Sequence, residues 1–163
     1  MNAISATPSG TPRVRHQKTN VFFNPATLPW TDWVMPNTWF KLLNVDLKTG
    51  GFTMLLKVGA DTQAPIHHHL GAIEGFMLEG EFGYDADRGT AGWYVWEQTG
   101  AIHTPTTTTG FVLYATVYGP LAGYEDDGRV AGLIDAELML GLARANHAAD
   151  HIRVPVMYEF QEA

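Results

Sequence analysis

The chain of 163 residues contains no cysteine. Disulfides, thiolate metal ligands and a cysteine nucleophile are excluded together. Serine is almost as scarce: Ser5 and Ser9 are the only two, which leaves no Ser-His-Asp hydrolase. No run of about 18 apolar residues occurs, so no membrane-spanning helix is expected. The opening MNAISATPSG lacks the apolar segment of a signal peptide. With the missing cysteine, this makes a cytoplasmic protein the expectation. Basic residues are few and unevenly placed. Residues 1–20 hold Arg13, Arg15 and Lys18 and no acid, a local charge of +3. The other 7 of the 10 bases face all 17 acids, so the remainder carries -10. A body that acidic repels phosphate backbones, and no nucleic-acid partner is expected.

What is present is apolar and aromatic. Hydrophobic residues make up 45% and charged ones 17%, the balance of a globular domain long enough for one core. Residues 1–20, rich in Thr, Ser, Pro and Gly, read as a flexible arm, and 21–163 as a single domain. Pro25, Pro29 and Pro36, with Trp30 and Trp33, suggest an extended segment wrapped over the body. Short strand-like runs then alternate with turn signals. TWFKLLNVDL and FTMLLKVGA flank Lys48-Thr49-Gly50-Gly51 as a hairpin. PIHHH, IEGFMLEGEFGY, GWYVWEQ and TGFVLYATVYG follow at the spacing of a barrel or sandwich. Phe111, Leu113, Ala115 and Val117 fall on one face of the last, and Val112, Tyr114, Thr116 and Tyr118 on the other. Both faces are apolar enough to predict a strand covered on both sides. Asp127-Gly128 marks another hairpin.

One helix is expected over about 135–148, with Asp135 as N-cap and Leu138, Leu142 and Ala145 on one face. IRVPVMYEF reads as a closing extended segment. The barrel core is expected over about 38–133, an all-β body with one C-terminal helix.

The chemistry-bearing stretch is APIHHHLGAIEG, residues 64–75. Side chains alternate along a strand, so His67 and His69 point one way and His68 the other. Imidazoles at i and i+2 can reach one ion, because their Cα atoms lie about 6–7 Å apart. Neutral imidazole suits Fe, Zn, Ni or Cu. Two ligands hold an ion poorly, and His103, in GWYVWEQTGAIH, is the candidate third. His16, His147 and His151 lack a pattern aiming them at the interior. The alternative is a solvated strand end at residues 67–69 and a hydrogen-bonded core imidazole at His103.

At these residues the chain resembles the cupins. Their first motif, G-x5-H-x-H-x3,4-E-x6-G, is met by Gly59 (farther upstream than usual), His67, His69, Glu74 and Gly80, the last one residue early. Their second, G-x5-P-x-G-x2-H-x3-N, is met by Gly92, Gly100 and His103, with Gln98 in place of Pro and Thr107 in place of Asn. The resemblance implies a double-stranded β-helix barrel with a metal inside. HHHLGAIEGFMLEGEF, EQTGAIH and GPLAGYEDDGRV look like the small single-domain cupins that cleave acetylacetone or dihydroxyacetophenone with O2. The cupin half of ChrR-type anti-sigma factors belongs to the same subset. By resemblance, His67, His69 and His103 are three neutral ligands, Glu97 a carboxylate kept beside the metal, and Thr106 a polar neighbour. Gly75 departs from the aromatic residue found after the motif's Glu.

Three neutral imidazoles leave a 2+ charge uncompensated, which favours an anionic chelate such as a β-diketone enolate. Fe(II) suits attack by O2, whereas Zn(II) would make the site structural, hydrolytic or sensory. Ni or Mn would also fit. Glu97 would take the substrate's α-proton or orient a water, or else be an outward acid at a strand end. Glu74 would be a fourth ligand or hold a ligand imidazole by a hydrogen bond. Trp93, Trp96, Phe76, Met77 and Phe111 would wall the pocket or form plain core. The function expected is an Fe(II) dioxygenase taking O2 and a β-diketone or hydroxyketone. The alternatives are a non-catalytic Zn-binding sensor or interaction module and a metal-dependent isomerase or lyase. The Trp-rich segment 21–36 is expected to cover a neighbouring subunit in a homodimer or homotetramer.

Overall fold

The computed structural model describes residues 22–125 and 127–153. The arm over residues 1–20 and the closing segment from Val154 onward lie outside the described residues. Among the described residues one turn of 3-10 helix, Pro25–Thr27, precedes thirteen strands and one helix. The strands are β1 Thr31–Asp32, β2 Thr38–Asp46, β3 Gly51–Val58, β4 Thr62–Gln63, β5 His67–His69, β6 Ile73–Tyr84 and β7 Asp87–Thr90. They continue with β8 Tyr94–Glu97, β9 Ile102–His103, β10 Thr106–Thr107, β11 Phe111–Val117, β12 Leu121–Tyr124 and β13 Val130–Ile134, and the helix is α1 Ala136–Ala145.

The strands form two curled antiparallel sheets, a double-stranded β-helix. One runs β1-β2-β3-β11-β6-β10-β4, with β7 and β8 also pairing β6. The other runs β13-β12-β5-β9 and carries the histidines. Alternation places Phe40 and Leu42 of β2, Phe52 and Met54 of β3, and Leu113, Ala115 and Val117 of β11 inside. Each fully buried side chain of this size contributes roughly 1.5–3 kcal/mol.

The outer face of β11 is not covered as expected. Tyr114 is 41% exposed and Tyr118 48%. The segment before β2 is also less extended than its prolines suggest. The Asn24 side chain accepts a hydrogen bond from the Ala26 N–H (3.0 Å) and starts the 3-10 turn. Its tryptophans are spent on this chain's own body. Trp33 Nε1 donates to Met139 Sδ (3.2 Å), and Lys41 and Lys57 both stack their ammonium groups over Trp30.

Asp135 caps α1 as expected, accepting from the Leu138 N–H at 2.9 Å. The buried face differs from the expected one. Ala136, Met139, Leu140 and Ala143 are inside, Leu142 is half-buried, and Leu138 and Ala145 are exposed. The small Ala136 and Ala143 let the helix lie close against β2, which a Leu138–Leu142–Ala145 stripe would not. The helix also stops three residues early, because His147 takes a left-handed φ of 53° just after the Asn146 cap.

One irregularity decides what enters the barrel. In β6, Ile73, Gly75 and Met77 point inward. Met77 pairs with Leu113 and Glu79 with Val112, so Leu78 is an extra residue, a bulge. Beyond it the even-numbered positions turn inward, and Phe82 and Tyr84 face the interior. Gly80 has φ 68°, and a Cβ there would collide with the Gly110 carbonyl oxygen. Only glycine accommodates that close crossing.

Candidate metal centre

The register of the smaller sheet assembles the histidines. His67 of β5 pairs directly with His103 of β9. His67 and His69, two apart on one strand, stack with ring centroids 5.1 Å apart, and the His103 ring meets both edge-on. Their ligand atoms all lie within 4.8 Å of one another, so the group could hold a metal ion. His68 points the other way, as alternation requires, with its Nδ1 2.9 Å from the Tyr124 hydroxyl.

The donor set fits an ion. His67 Nδ1 lies 3.0 Å from the Pro65 carbonyl oxygen. Only an N–H can make that bond, so Nε2 keeps its lone pair. His69 Nε2 and His103 Nε2 face each other at 2.9 Å, and His69 Nδ1 is buried without a partner. Burial, with the neighbouring histidines, holds His69 down to about 3. Burial first and then His67 holds His103 down to about 4, and burial lowers His67 as well. All three are therefore neutral at pH 7, the form a cation needs.

Glu97 ends β8 opposite Ile73, whose side chain is inside, and the pairing aims the carboxylate inward. Its oxygens lie 3.8 Å from His69 Nε2 and 4.0 Å from His103 Nε2. The side chain is only 12% exposed, and burial pushes its pKa up to about 7. The Tyr84 hydroxyl donates to Glu97 Oε1 and sits 3.4 Å from His103 Nε2. Sequence reading missed Tyr84, because without the Leu78 bulge its position would face outward. Thr106 Oγ1 accepts from Arg88 Nη1 (3.0 Å), and Arg88 also grips Glu81 Oε2.

Glu74 is not brought to the imidazoles, contrary to expectation. It pairs with Thr116 and Trp96 on the outer face, where its carboxylate accepts from Tyr118 (2.6 Å) and Tyr94 (3.2 Å). A one-residue step along β6 separates it from the inward Ile73, so it neither coordinates the site nor braces a ligand. The expected aromatic wall divides in the same way. Phe76 and Trp96 stand exposed, Trp93 is also exposed, Met77 is core, and only Phe111 faces the main cavity.

That cavity occupies about 500 Å³ of the barrel interior. His67, Glu97 and Thr106 stand in its wall, and almost all the rest is apolar. A smaller cavity of about 170 Å³ lies behind Tyr84 and Glu97, beside Arg88, Trp93 and Trp96.

The sequence pattern of the ChrR cupin-like domain matches residues 18–122. The chain belongs to the ChrR cupin-like family. A search among curated proteins gives no match for this cupin. Among solved structures it is similar to a Ralstonia eutropha protein of unknown function with a cupin-like fold, at 20% identity and a TM-score of 0.75, covering 89% of this chain and 99% of that one. An RmlC-like cupin from the same species is 22% identical with a TM-score of 0.72, covering 83% and 92%. An acetylacetone dioxygenase from Acinetobacter johnsonii is 22% identical with a TM-score of 0.62, covering 89% and 99%. At these identities the likeness carries the cupin fold. No helix among the described residues is long and apolar enough to cross a membrane.

Proposed function

We propose that this cupin is a metal-dependent dioxygenase that cleaves a carbon–carbon bond of a β-diketone or hydroxyketone with O2. The observation that carries the reading is three neutral imidazoles converging on one point, with one of them, His67, and a buried carboxylate, Glu97, in the wall of an apolar cavity. The likeness to an acetylacetone dioxygenase supports it. His67, His69 and His103 would hold Fe(II), which supplies Lewis acidity toward an enolate and electrons for O2.

The chain's own groups supply the rest. Glu97, buried beside the imidazoles, accepts the α-proton of the bound ketone at the carboxylate. Tyr84 fixes the orientation of Glu97 through its hydrogen bond. Thr106, held by Arg88, lines the same wall and orients a carbonyl oxygen. The apolar lining excludes water from reactive species. In the overall reaction a diketone R-CO-CH2-CO-R′ and O2 give R-COOH and R′-CO-CHO, which accounts for every atom.

The test is O2 uptake by protein loaded anaerobically with Fe(II), on addition of pentane-2,4-dione, alongside His103→Ala. One metal per wild-type chain and one O2 consumed per dione, both lost in the variant, is the expected result. Full metal occupancy with no O2 uptake for any dione or hydroxyketone would sink the dioxygenase reading. It would favour a sensor or an isomerase instead.

A further inference from the structure

The cavity is much larger than the group that a three-histidine centre grips. A water's share of liquid volume is about 30 Å³. On that scale the seven non-hydrogen atoms of a five-carbon dione fill no more than about 200 Å³. The cavity holds about 500 Å³. The difference is room for on the order of ten further carbon atoms.

The chemistry of that extra space is uniform. Among the described residues lining the cavity, His67 and Glu97 are the only ionisable ones, and both stand at the metal end. The rest of the wall includes Leu121, which pairs with His69 at the metal end, and beyond it Met54, Leu56, Phe111, Leu113 and Ile134. No Lys or Arg there could meet a carboxylate or phosphate, and burying such a charge unpaired is costly. The mouth has the same character. Val34 (44% exposed), Ile66 (51%), Leu133 (46%) and Leu138 (37%) line the cavity and also face solvent. A rim of four exposed aliphatic side chains is an unfavourable surface that an apolar ligand would cover. Leu138 explains why the helix departs from its expected face, since it serves the cavity rather than the core.

We infer that the substrate carries a long uncharged tail, an alkyl chain or aryl group of roughly eight to ten carbons, on its dicarbonyl or hydroxyketone head. The inference rests on the reading of the head given above, and names what lies beyond it. The tail runs along Phe111, Leu113 and Leu121 and ends at the rim formed by Val34, Leu133 and Leu138.

The experiment measures binding by calorimetry under nitrogen, on protein loaded with Fe(II). The probes are pentane-, octane- and decane-2,4-dione and the charged 4,6-dioxoheptanoate. Each added methylene is expected to lower Kd about fourfold across the whole series, because the six-carbon tail of decane-2,4-dione still ends inside the cavity. The charged compound is expected to bind no better than pentane-2,4-dione. Leu113→Phe, which fills the tail space, should weaken decane-2,4-dione at least tenfold and leave pentane-2,4-dione unchanged. Equal Kd along the series, tighter binding of the charged probe, or no binding of any dione would overturn the inference. O2 uptake is measured separately. Tail-dependent binding without O2 consumption keeps this inference and removes the dioxygenase reading. O2 consumption with a flat Kd series does the reverse.

Discussion

At the residue scale, the centre joins groups with opposite responses to acid. His69 and His103 have folded pKa values near 3 and 4, well below 6.5. Their contribution to stability is complete above pH 6.5 and is lost as pH falls below it, because the unfolded chain takes up protons there first. Glu97 is raised from 4.5 to about 7, so its contribution runs the other way. It is complete below pH 4.5 and lost as pH rises through 7. Two histidines outweigh one glutamate, so chelator-treated protein should have a lower Tm at pH 5 than at pH 7. Glu97→Gln removes the opposing contribution. It should raise Tm at pH 8 and steepen the fall between pH 7 and 5, as read by scanning fluorimetry in EDTA. An unchanged slope in the variant would mean that Glu97 is solvated in the metal-free protein. The three histidines were legible in the sequence because strand alternation and motif spacing are local properties, whereas Glu97 was singled out only through the family resemblance, with an outward acid as the open alternative. Tyr84 and Glu74 were not legible, because each depends on a cross-strand register that no local pattern reports.

At the element scale, β6 shows where such reading ends. Its twelve residues look like one strand, and they are. The extra residue Leu78 nevertheless exchanges the two faces halfway, and nothing in IEGFMLEGEFGY marks it except Gly80. Gly80→Ala should therefore cost on the order of 2–3 kcal/mol, from both the left-handed backbone and the collision with Gly110. In a chain of this length that lowers Tm by roughly 5–10 °C. Gly92→Ala is the control. It shares the positive φ (88°) but has open space around it, so only about 1 kcal/mol is expected. Equal losses in the two variants would show that the crossing of β6 and β11 can relax. The helix gives a milder version of the same limit. Its N-cap was readable at Asp135, but its buried face depended on how closely β2 approaches.

At the scale of the whole molecule, the unexplained surface is the outer face of the larger sheet. Phe76 pairs with Tyr94 on one side and Tyr114 on the other, with Trp96 and Tyr118 one step along. These five side chains are each between 41% and 58% exposed. An aromatic side chain carries roughly 150–250 Å², so the open area is on the order of 500 Å², the size of the largest apolar patch on a typical monomer, which is often functional. The one charge among them, Glu74, is already bonded to Tyr94 and Tyr118, which lowers the cost of covering it. Sedimentation should show a homodimer or homotetramer, and the paired change Phe76→Lys with Tyr114→Lys should release monomers. A monomeric wild type at micromolar concentration would end that expectation. Trp30 and Trp33, half-buried against their own chain, leave Phe22 and Val34 of the same segment exposed, so the segment retains apolar surface for a neighbouring subunit.

The hollow barrel has a mechanical consequence. Space that atoms do not fill is recovered by solvent when a chain unfolds, so the unfolded state occupies less volume. This cupin should therefore be soft toward hydrostatic compression and unfold at lower pressure than a solidly packed domain of its size. A molecule seated along Leu113 and Leu121 would stiffen it.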